Sequence, residues 1–309
     1  MSSPFDPMLA TSGQLPPDDG RWAYEPKWDG FRAIVHVNGR AVVWSRRGTD
    51  LTDRFPEVAE LASAVPPDTV LDGELVVFDA SGRPDFEAIR RRGLLGRTDG
   101  AATFIAFDVV RLGGRNLLAQ RFRTRREALE DLALAGPGWC TTPSHEGAGA
   151  ALFDATREQG LEGVMAKRLD SPYRPGVRTR LWLKAKHWVT RQFVVGGVIV
   201  GDEHSVILVG TVTPTGVAYS GAVEVFGEAQ LAGILSAVRA RATSPFTGWA
   251  PRALWLEPEV TVEVRYLAHG PGLRHAVLVP PAGPRQSASS IPERVPTRRR
   301  AGTVGTHDQ

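Results

Sequence analysis

Residues 25–32 have the sequence EPKWDGFR, in which Lys27 lies between Glu25 and Asp29 and is followed by Arg32. A lysine amine is a nucleophile once its ammonium has lost a proton, and desolvation or neighbouring cations lower a lysine pKa. Attack on an α-phosphate also needs cations that stabilise the phosphate oxygens and the departing pyrophosphate. Because most lysines lie on the surface and Lys-x-Asp-Gly matches occur by chance, Lys27 alone is a weak indication.

Further polar groups follow in a fixed order along the chain, and it is the ordered set that indicates an anion site. Arg46 follows a predicted strand, where its guanidinium can hold a phosphate. Lys184 and Lys186 are two residues apart and therefore point to the same face of a predicted strand. Without an anion, two such lysines are difficult to bury. The segments are residues 45–48, 72–74, 107–108, 161–167 and 184–186.

Strands and helices alternate through about the first 190 residues and must position these groups. Asn38-Gly39 separates two β-rich runs and indicates a hairpin. Asp72-Gly73-Glu74 is predicted to open a strand, and Phe107-Asp108 to end one. The predicted strands are residues 33–37, 41–44, 70–79, 103–110, 164–166 and 181–186, and the predicted helices are residues 123–134 and 152–159.

After about residue 190 the pattern changes to short apolar or alternating runs around one predicted helix, residues 228–242. Several short strands around one helix indicate a small β-barrel such as an OB-fold. From about residue 281 the chain is rich in Pro, Ser, Gly, Thr and Arg, which predicts disorder.

Composition limits the classes of protein that fit. The 309 residues suffice for two domains, and a net charge of +3 with a pI of about 9.3 permits a nucleic-acid partner without requiring one. The single cysteine, Cys140, excludes a disulfide framework and a cysteine-based metal site within one chain. No apolar run approaches the ~20 residues that span a bilayer. We expect no membrane association and a cytoplasmic, nucleoid-associated location.

The ordered segments resemble those of the covalent nucleotidyltransferases, which include ATP-dependent DNA ligases, RNA ligases and mRNA capping enzymes. Their amino-acid sequences are most similar to those of small bacterial ATP-dependent DNA ligases and of the ligase module of bacterial end-joining enzymes. The resemblance covers roughly residues 5–279, and the first 190 residues carry its specificity. The matching segments are residues 25–32, 45–52, 54–56, 71–76, 84–86 and 91–92.

The resemblance implies an α+β fold with two domains. Residues 1–189 would form an adenylation domain of mixed antiparallel sheets with helices. Residues 190–281 would form the OB-fold, and residues 282–309 a disordered basic tail.

The resemblance also assigns the reacting groups. Lys27 would form a lysyl-AMP with ATP, and Lys184 and Lys186 would neutralise the α-phosphate. Glu162 would help to hold Mg²⁺ or Mn²⁺ together with Glu74, which would also contact a ribose hydroxyl. Carboxylate and phosphate oxygens are the ligands that Mg²⁺ prefers. AMP would then pass to a DNA 5′-phosphate, from which the 3′-hydroxyl displaces it.

The remaining implied contacts are to the nucleotide. Glu25 would recognise the adenine amino group, and Phe107 and Met165 would sandwich the ring, since aromatic and thioether groups both pack well against a base. Arg32 and Arg46 would contact the ribose and phosphates.

The sequence departs from the family pattern near its C-terminal end. Arg274-His275 matches the start of the last motif, but residues 276–281 read AVLVPP. The family's Arg-x-Asp ending orients pyrophosphate during the first step. We therefore expect inefficient self-adenylation, with Arg274 or Arg285 as the substitute.

The expected partners are ATP, duplex DNA with a nick or break, and end-joining or repair proteins, with the chain as a monomer. Contacts with DNA would be mainly to phosphates and would weaken with salt. The candidates are three arginine clusters, residues 90–92, 121–126 and 298–300. The alternatives are an RNA ligase or capping-type enzyme, a non-sealing DNA-binding accessory protein, and an α/β domain plus barrel of unrelated function.

Overall fold

The computed structural model describes residues 6–17, 20–96, 100–201, 204–267 and 272–279. The strands of its first half are β1 (Leu9–Ser12), β2 (Trp22–Pro26), β3 (Phe31–Asn38), β4 (Arg40–Ser45), β5 (Thr69–Val77), β6 (Ala102–Leu112), β7 (Arg115–Asn116), β8 (Ala135–Gly136), β9 (Trp139–Thr141), β10 (His145–Glu146), β11 (Gly163–Arg168) and β12 (Arg178–Lys186).

The strands of the second half are β13 (Trp188–Ile199), β14 (Ser205–Thr213), β15 (Gly216–Val225), β16 (Ala240–Arg241), β17 (Phe246–Thr247), β18 (Leu254–Leu256), β19 (Thr261–Leu267) and β20 (Arg274–Leu278). The helices are α1 (Leu61–Ala64), α2 (Phe86–Leu95), α3 (Phe122–Asp131), α4 (Gly149–Glu158) and α5 (Glu228–Ser236). Within the described ranges, none of the helices has the length and apolarity needed to cross a bilayer.

The first sheet has the strand order β1-β12-β11-β2-β10. Its register places Met165 opposite Glu25 on one side and opposite Lys184 on the other. Gly163 lies opposite Lys186. Residues from three separate segments of the sequence are thereby brought side by side.

The second sheet has the order β4-β3-β5-β6-β9-β8. The β3–β4 hairpin turns at Gly39 with a positive φ of 72°, which confirms the Asn38-Gly39 prediction. Arg32 pairs with Glu74 across β3 and β5. The predicted strands over residues 70–79 and 103–110 agree with β5 and β6. Within them, Asp72-Gly73-Glu74 lies inside β5 rather than at a strand start, and Phe107 lies inside β6 rather than at a strand end, so these two placements are wrong.

The two sheets face each other across a shared apolar core. Ile34, Val70 and Phe107 of the second sheet pack with Trp182 of the first, and with Met8 just before β1. The other face of the second sheet packs against α1, α2 and α3. The residues predicted to carry chemistry therefore lie where the two sheets meet.

The third sheet contains β14-β15-β20-β19-β13-β18-β16, and β14 also pairs with β13. The predicted helix over residues 228–242 is too long, because α5 ends at Ser236 and Ala240 pairs with Leu256 in β18. Strand pairing with a distant segment here overrides the local helical pattern. The predicted tail, residues 282–309, lies outside the described residues.

Three arginines of the two internal clusters are buried, which contradicts their prediction as DNA contacts. Arg92 donates to Glu57 at 2.6 Å, and Arg125 donates to both carboxylate oxygens of Asp108 at 2.8 and 2.9 Å. Arg126 donates to a backbone carbonyl at 2.7 Å. A buried arginine needs such partners, so these side chains hold the fold together and are not available to phosphates.

Candidate functional site

A pocket of about 200 Å³ opens between the first and second sheets. It collects side chains from segments that are far apart in the sequence. The predicted site residues that line it are Glu25, Lys27, Arg32, Arg46, Glu74, Phe107, Met165 and Lys184. Glu162 and Lys186 adjoin it through contacts with Lys27 or with each other.

Lys27 lies directly after β2, where its backbone N–H donates to the carbonyl of Gly163 at 2.9 Å. Its ammonium donates to the Glu162 carboxylate, and the Lys186 ammonium lies 2.6 Å from the other oxygen of the same carboxylate. Burial alone would raise the pKa of Glu162, but Lys27 and Lys186 outweigh it and hold that pKa below its ordinary value. The carboxylate thus joins the two lysines at the pocket.

Lys184 adds another cation on the same face of β12 as Lys186, as the spacing predicted. Partial burial, followed by the charges of Lys186 and Lys27, lowers the pKa of Lys184. Arg178, at the start of β12, also lines the pocket. No role was predicted for Arg178 from the sequence, although strand alternation contains the signal, since Arg178 differs from Lys184 by an even number of residues.

Arg32 and Glu74 are neighbours across β3 and β5, but Arg32 has a carboxylate partner whereas burial dominates the electrostatics of Glu74. Arg32 donates to both oxygens of Asp72 at 2.5 Å, and its guanidinium lies 4.5 Å from the centre of the Phe107 ring. Burial raises the pKa of Glu74 to about 7, against the opposing charges of Lys27 and Arg32. Glu74 therefore binds or releases a proton near neutral pH.

The inner end of the pocket is formed by Phe107, Met165 and the buried pair Glu25 and Lys167. The Lys167 ammonium lies 2.8 Å from Glu25 and donates to the Phe107 carbonyl at 3.0 Å. It also lies 4.3 Å from the centre of the Phe107 ring. Desolvation raises the pKa of Glu25 and lowers that of Lys167. No role was predicted for Lys167 from the sequence, although strand alternation places it on the same face as Met165.

The third sheet contributes Arg274 to the edge of the site. Its guanidinium donates to Asp29, which is two residues after Lys27, and lies 4.9 Å from the Phe86 ring. Burial would lower the pKa of Arg274, but its hydrogen bond with Asp29 raises it. His275 follows with a left-handed φ of 52°. Arg285, the other predicted substitute, lies outside the described residues.

A sequence-family profile described as "ATP dependent DNA ligase domain" matches residues 7–186, which include the predicted site residues. The chain belongs to this ATP-dependent DNA ligase family. The match confirms the resemblance inferred from the ordered segments.

Relatives of this ligase-family chain include the multifunctional non-homologous end joining DNA repair protein LigD of Mycobacterium tuberculosis. The two are 38% identical over 277 residues, covering 84% of this chain and 36% of that protein. The chain therefore spans only 36% of the length of this relative. The SPbeta prophage-derived DNA ligase-like protein LigB of Bacillus subtilis is 31% identical over 197 residues, covering 63% of this chain and 72% of LigB.

Among solved structures, the ligase-family fold matches the mycobacterial DNA ligase D complexed with ATP and MES. The TM-score is 0.57 at 36% identity, and the match covers 89% of this chain and 93% of that chain. This match supports a mixed fold of sheets and helices, as predicted.

Proposed function

We propose that this chain is an ATP-dependent DNA ligase that seals nicks in duplex DNA through a lysyl-AMP on Lys27. The observation that carries the proposal is the position of the Lys27 amine in the pocket between the two sheets. It lies beside Glu162 and in the field of Lys184 and Lys186. A reactive amine among cations and carboxylates fits phosphoryl transfer.

In the first step the Lys27 nitrogen bonds to the α-phosphorus of ATP, and the bond to the pyrophosphate oxygen breaks with its electron pair. The amine must lose a proton, which the Glu162 carboxylate, its hydrogen-bond partner, would accept. Lys184 and Lys186 stabilise the negative charge that the α-phosphate carries in the transition state. Arg46, which is exposed and lines the pocket, would contact the outer phosphates.

The adenosine is proposed to occupy the inner end of the pocket. Phe107 and Met165 would pack against the base. The Glu25 oxygen Oε1 is buried and accepts no hydrogen bond from a described residue, although Arg126 Nη1 lies 3.7 Å from it. A small adjustment would let it accept one from the adenine amino group. Glu74 and Arg32 would face the ribose. Buried polar groups need partners, which favours occupation by a polar base.

The donor set fits a divalent cation of the magnesium type. Glu162 and Glu74 supply hard carboxylate oxygens, while no group of three or more potential metal ligands occurs within the described residues. Mg²⁺ commonly binds one or two carboxylates together with substrate phosphates. Glu162 and Glu74 would therefore hold Mg²⁺ or Mn²⁺, which would supply positive charge to the phosphates when bound.

In the later steps AMP moves from Lys27 to the DNA 5′-phosphate, and the 3′-hydroxyl then displaces AMP to form the phosphodiester. The exposed arginines of the two internal clusters, and the cluster at residues 298–300, remain candidate phosphate contacts. The names of the LigD relatives favour a repair or end-joining role with protein partners. We also propose that the chain acts as a monomer in the cytoplasm, on the nucleoid.

Residues 1–189 and 190–281 are proposed to form the adenylation and OB-fold domains, with a basic tail after them. The pairings β14–β15, β15–β20, β20–β19, β19–β13 and β13–β14 form a closed circuit, which supports a barrel. The Arg274–Asp29 ion pair joins this sheet to the Lys27 segment. It supports a role for Arg274 in the first step, despite the missing Arg-x-Asp ending.

The test mixes the protein with labelled ATP or GTP and divalent metal, and then with nicked DNA or RNA duplexes. We expect a covalent adduct with ATP on the wild type, none on Lys27→Ala, and sealing of nicked DNA. An adduct with GTP, or a preference for RNA, would instead favour a capping-type or RNA-joining enzyme. Binding of nicks without sealing, even of pre-adenylated DNA, would indicate an accessory protein.

A further inference from the structure

A second groove, of about 360 Å³, adjoins the nucleotide pocket. Trp28 lines both cavities and separates them. Because Trp28 directly follows Lys27, the groove begins one residue from the reactive amine. The lining of the groove also includes Phe78 and Arg83.

The aromatic wall of this groove is held in a fixed orientation. The Trp28 indole N–H donates to the Thr142 hydroxyl at 2.9 Å. The Trp28 and Phe78 rings meet edge to face, with centroids 6.0 Å apart. Rigid aromatic surfaces of this kind pack well against the apolar faces of sugars and bases.

Arg83 supplies a positive charge at the rim of the groove. The Asp79 carboxylate accepts hydrogen bonds from the backbone N–H groups of Ser81 and Arg83, at 2.8 and 2.9 Å, and so fixes the turn that presents Arg83. The Arg83 side chain lies against Gly160, just beyond the end of α4, where a helix favours a cation. The hydrogen bond from the Ser81 side chain and, to a smaller extent, the charge of Arg83 lower the pKa of Asp79, so Asp79 is a carboxylate that interacts with the charge of Arg83 at this turn.

The chemistry of sealing restricts the direction from which the strand bearing the 3′-hydroxyl can approach. The 3′ oxygen forms a bond to the phosphorus of the adenylated 5′-phosphate, the bond from that phosphorus to the AMP oxygen breaks with its electron pair, and the hydroxyl proton passes to solvent. Attacking and leaving oxygens lie roughly in line. The 3′ oxygen must therefore approach the 5′-phosphate from the side opposite the departing AMP.

We propose that this groove binds the end of the DNA strand that bears the 3′-hydroxyl. Arg83 contacts a phosphodiester of that strand, and Trp28 and Phe78 pack against its terminal deoxyribose. The charge of Arg83 complements the phosphate, and the shared Trp28 wall places this strand next to the nucleotide pocket. The inference rests on the proposed ligase function and names the subsite for one of its substrates.

The test compares wild type with Arg83→Gln, using Arg111→Gln as the control. The Arg111 side chain is partly exposed and its substitution removes the same charge, but Arg111 pairs with Asp68. We expect Arg83→Gln to form lysyl-AMP at the wild-type rate and to seal pre-adenylated nicked DNA about tenfold more slowly, the loss typical of a charged hydrogen bond. The slope of log Kd for the nick against log salt should fall by about 1. Arg111→Gln should change neither.

Substituting single phosphates with neutral methylphosphonates identifies the strand. One substitution near the end of the 3′-hydroxyl strand should slow sealing by the wild type and cause no further loss in Arg83→Gln. Equal slowing of both proteins at every position, or sealing by Arg83→Gln as fast as by Arg111→Gln, would overturn the groove assignment. A wild type that forms no lysyl-AMP and seals nothing would instead refute the proposed function.

Discussion

Lys167→Met tests how the inner end of the pocket is held together. The Lys167 side chain is 1% exposed and contacts Glu25, the Phe107 carbonyl and the Phe107 ring. Methionine nearly preserves the volume and fills irregular space well, so the loss is mainly electrostatic. Removing one partner of a buried ion pair costs about 3–5 kcal/mol. We expect a decrease of that size in the free energy of unfolding at pH 8.

The loss of unfolding free energy in Lys167→Met should depend on pH through the ionisation of Glu25. Burial raises the pKa of Glu25, and Lys167 opposes the shift, so removing Lys167 raises that pKa further. A carboxyl whose folded pKa exceeds its unfolded value contributes stability that is complete below the unfolded pKa and is lost as pH rises through the folded one. The deficit of Lys167→Met should therefore be smaller at pH 5 than at pH 8.

Urea unfolding of the wild type, Lys167→Met, Glu25→Gln and the double variant measures the coupling. The double variant should lose less unfolding free energy than the two single variants lose together, because it leaves no buried charge without its partner. The ATP concentration for half-maximal lysyl-AMP formation should rise in Lys167→Met. A loss below about 1 kcal/mol, the size of an exposed ion pair, or strict additivity in the double variant would refute the buried-pair reasoning.

Three further predictions concern the same site. In metal-free buffer, the free energy of unfolding should decrease as pH rises from about 4.5 to about 7, because the folded state raises the pKa of Glu74. The decrease should be at most about 3 kcal/mol. Urea titrations at pH 5 and 8 should show a smaller decrease in the free energy of unfolding of Glu74→Gln than in that of the wild type. Lys184→Ala should slow lysyl-AMP formation about 10²–10³-fold in single-turnover gels, and an unchanged rate would remove Lys184 from the transition state. Gly73→Ala should destabilise the folded protein by about 1–3 kcal/mol in thermal unfolding, because the added Cβ would lie 2.5 Å from the Phe104 ring. Gly39→Ala is the control: its Cβ would meet no neighbouring atom, so its destabilisation measures the cost of a positive φ alone.

Local patterns were sufficient to predict many strands and the relative directions of their side chains. Alternation placed Lys184 and Lys186 on one face, and Asn38-Gly39 located the hairpin. Prediction failed where a distant segment decided the conformation, as at the end of α5, where Ala240 joins a strand. The arginines of the two internal clusters look alike in sequence, but some are exposed and others are buried.

The sequence by itself determined the family and the order of the chemical groups, because residue type and the two-residue period of a strand are local properties. Only the tertiary structure decided which groups meet. Glu162 contacts Lys27 from 135 residues away, and Arg274 reaches Asp29 from 245 residues away. Such pairs form because separate sheets pack against one another and a buried charge requires a partner. The three-dimensional packing, which no single segment encodes, thus turned an ordered set of residues into a site.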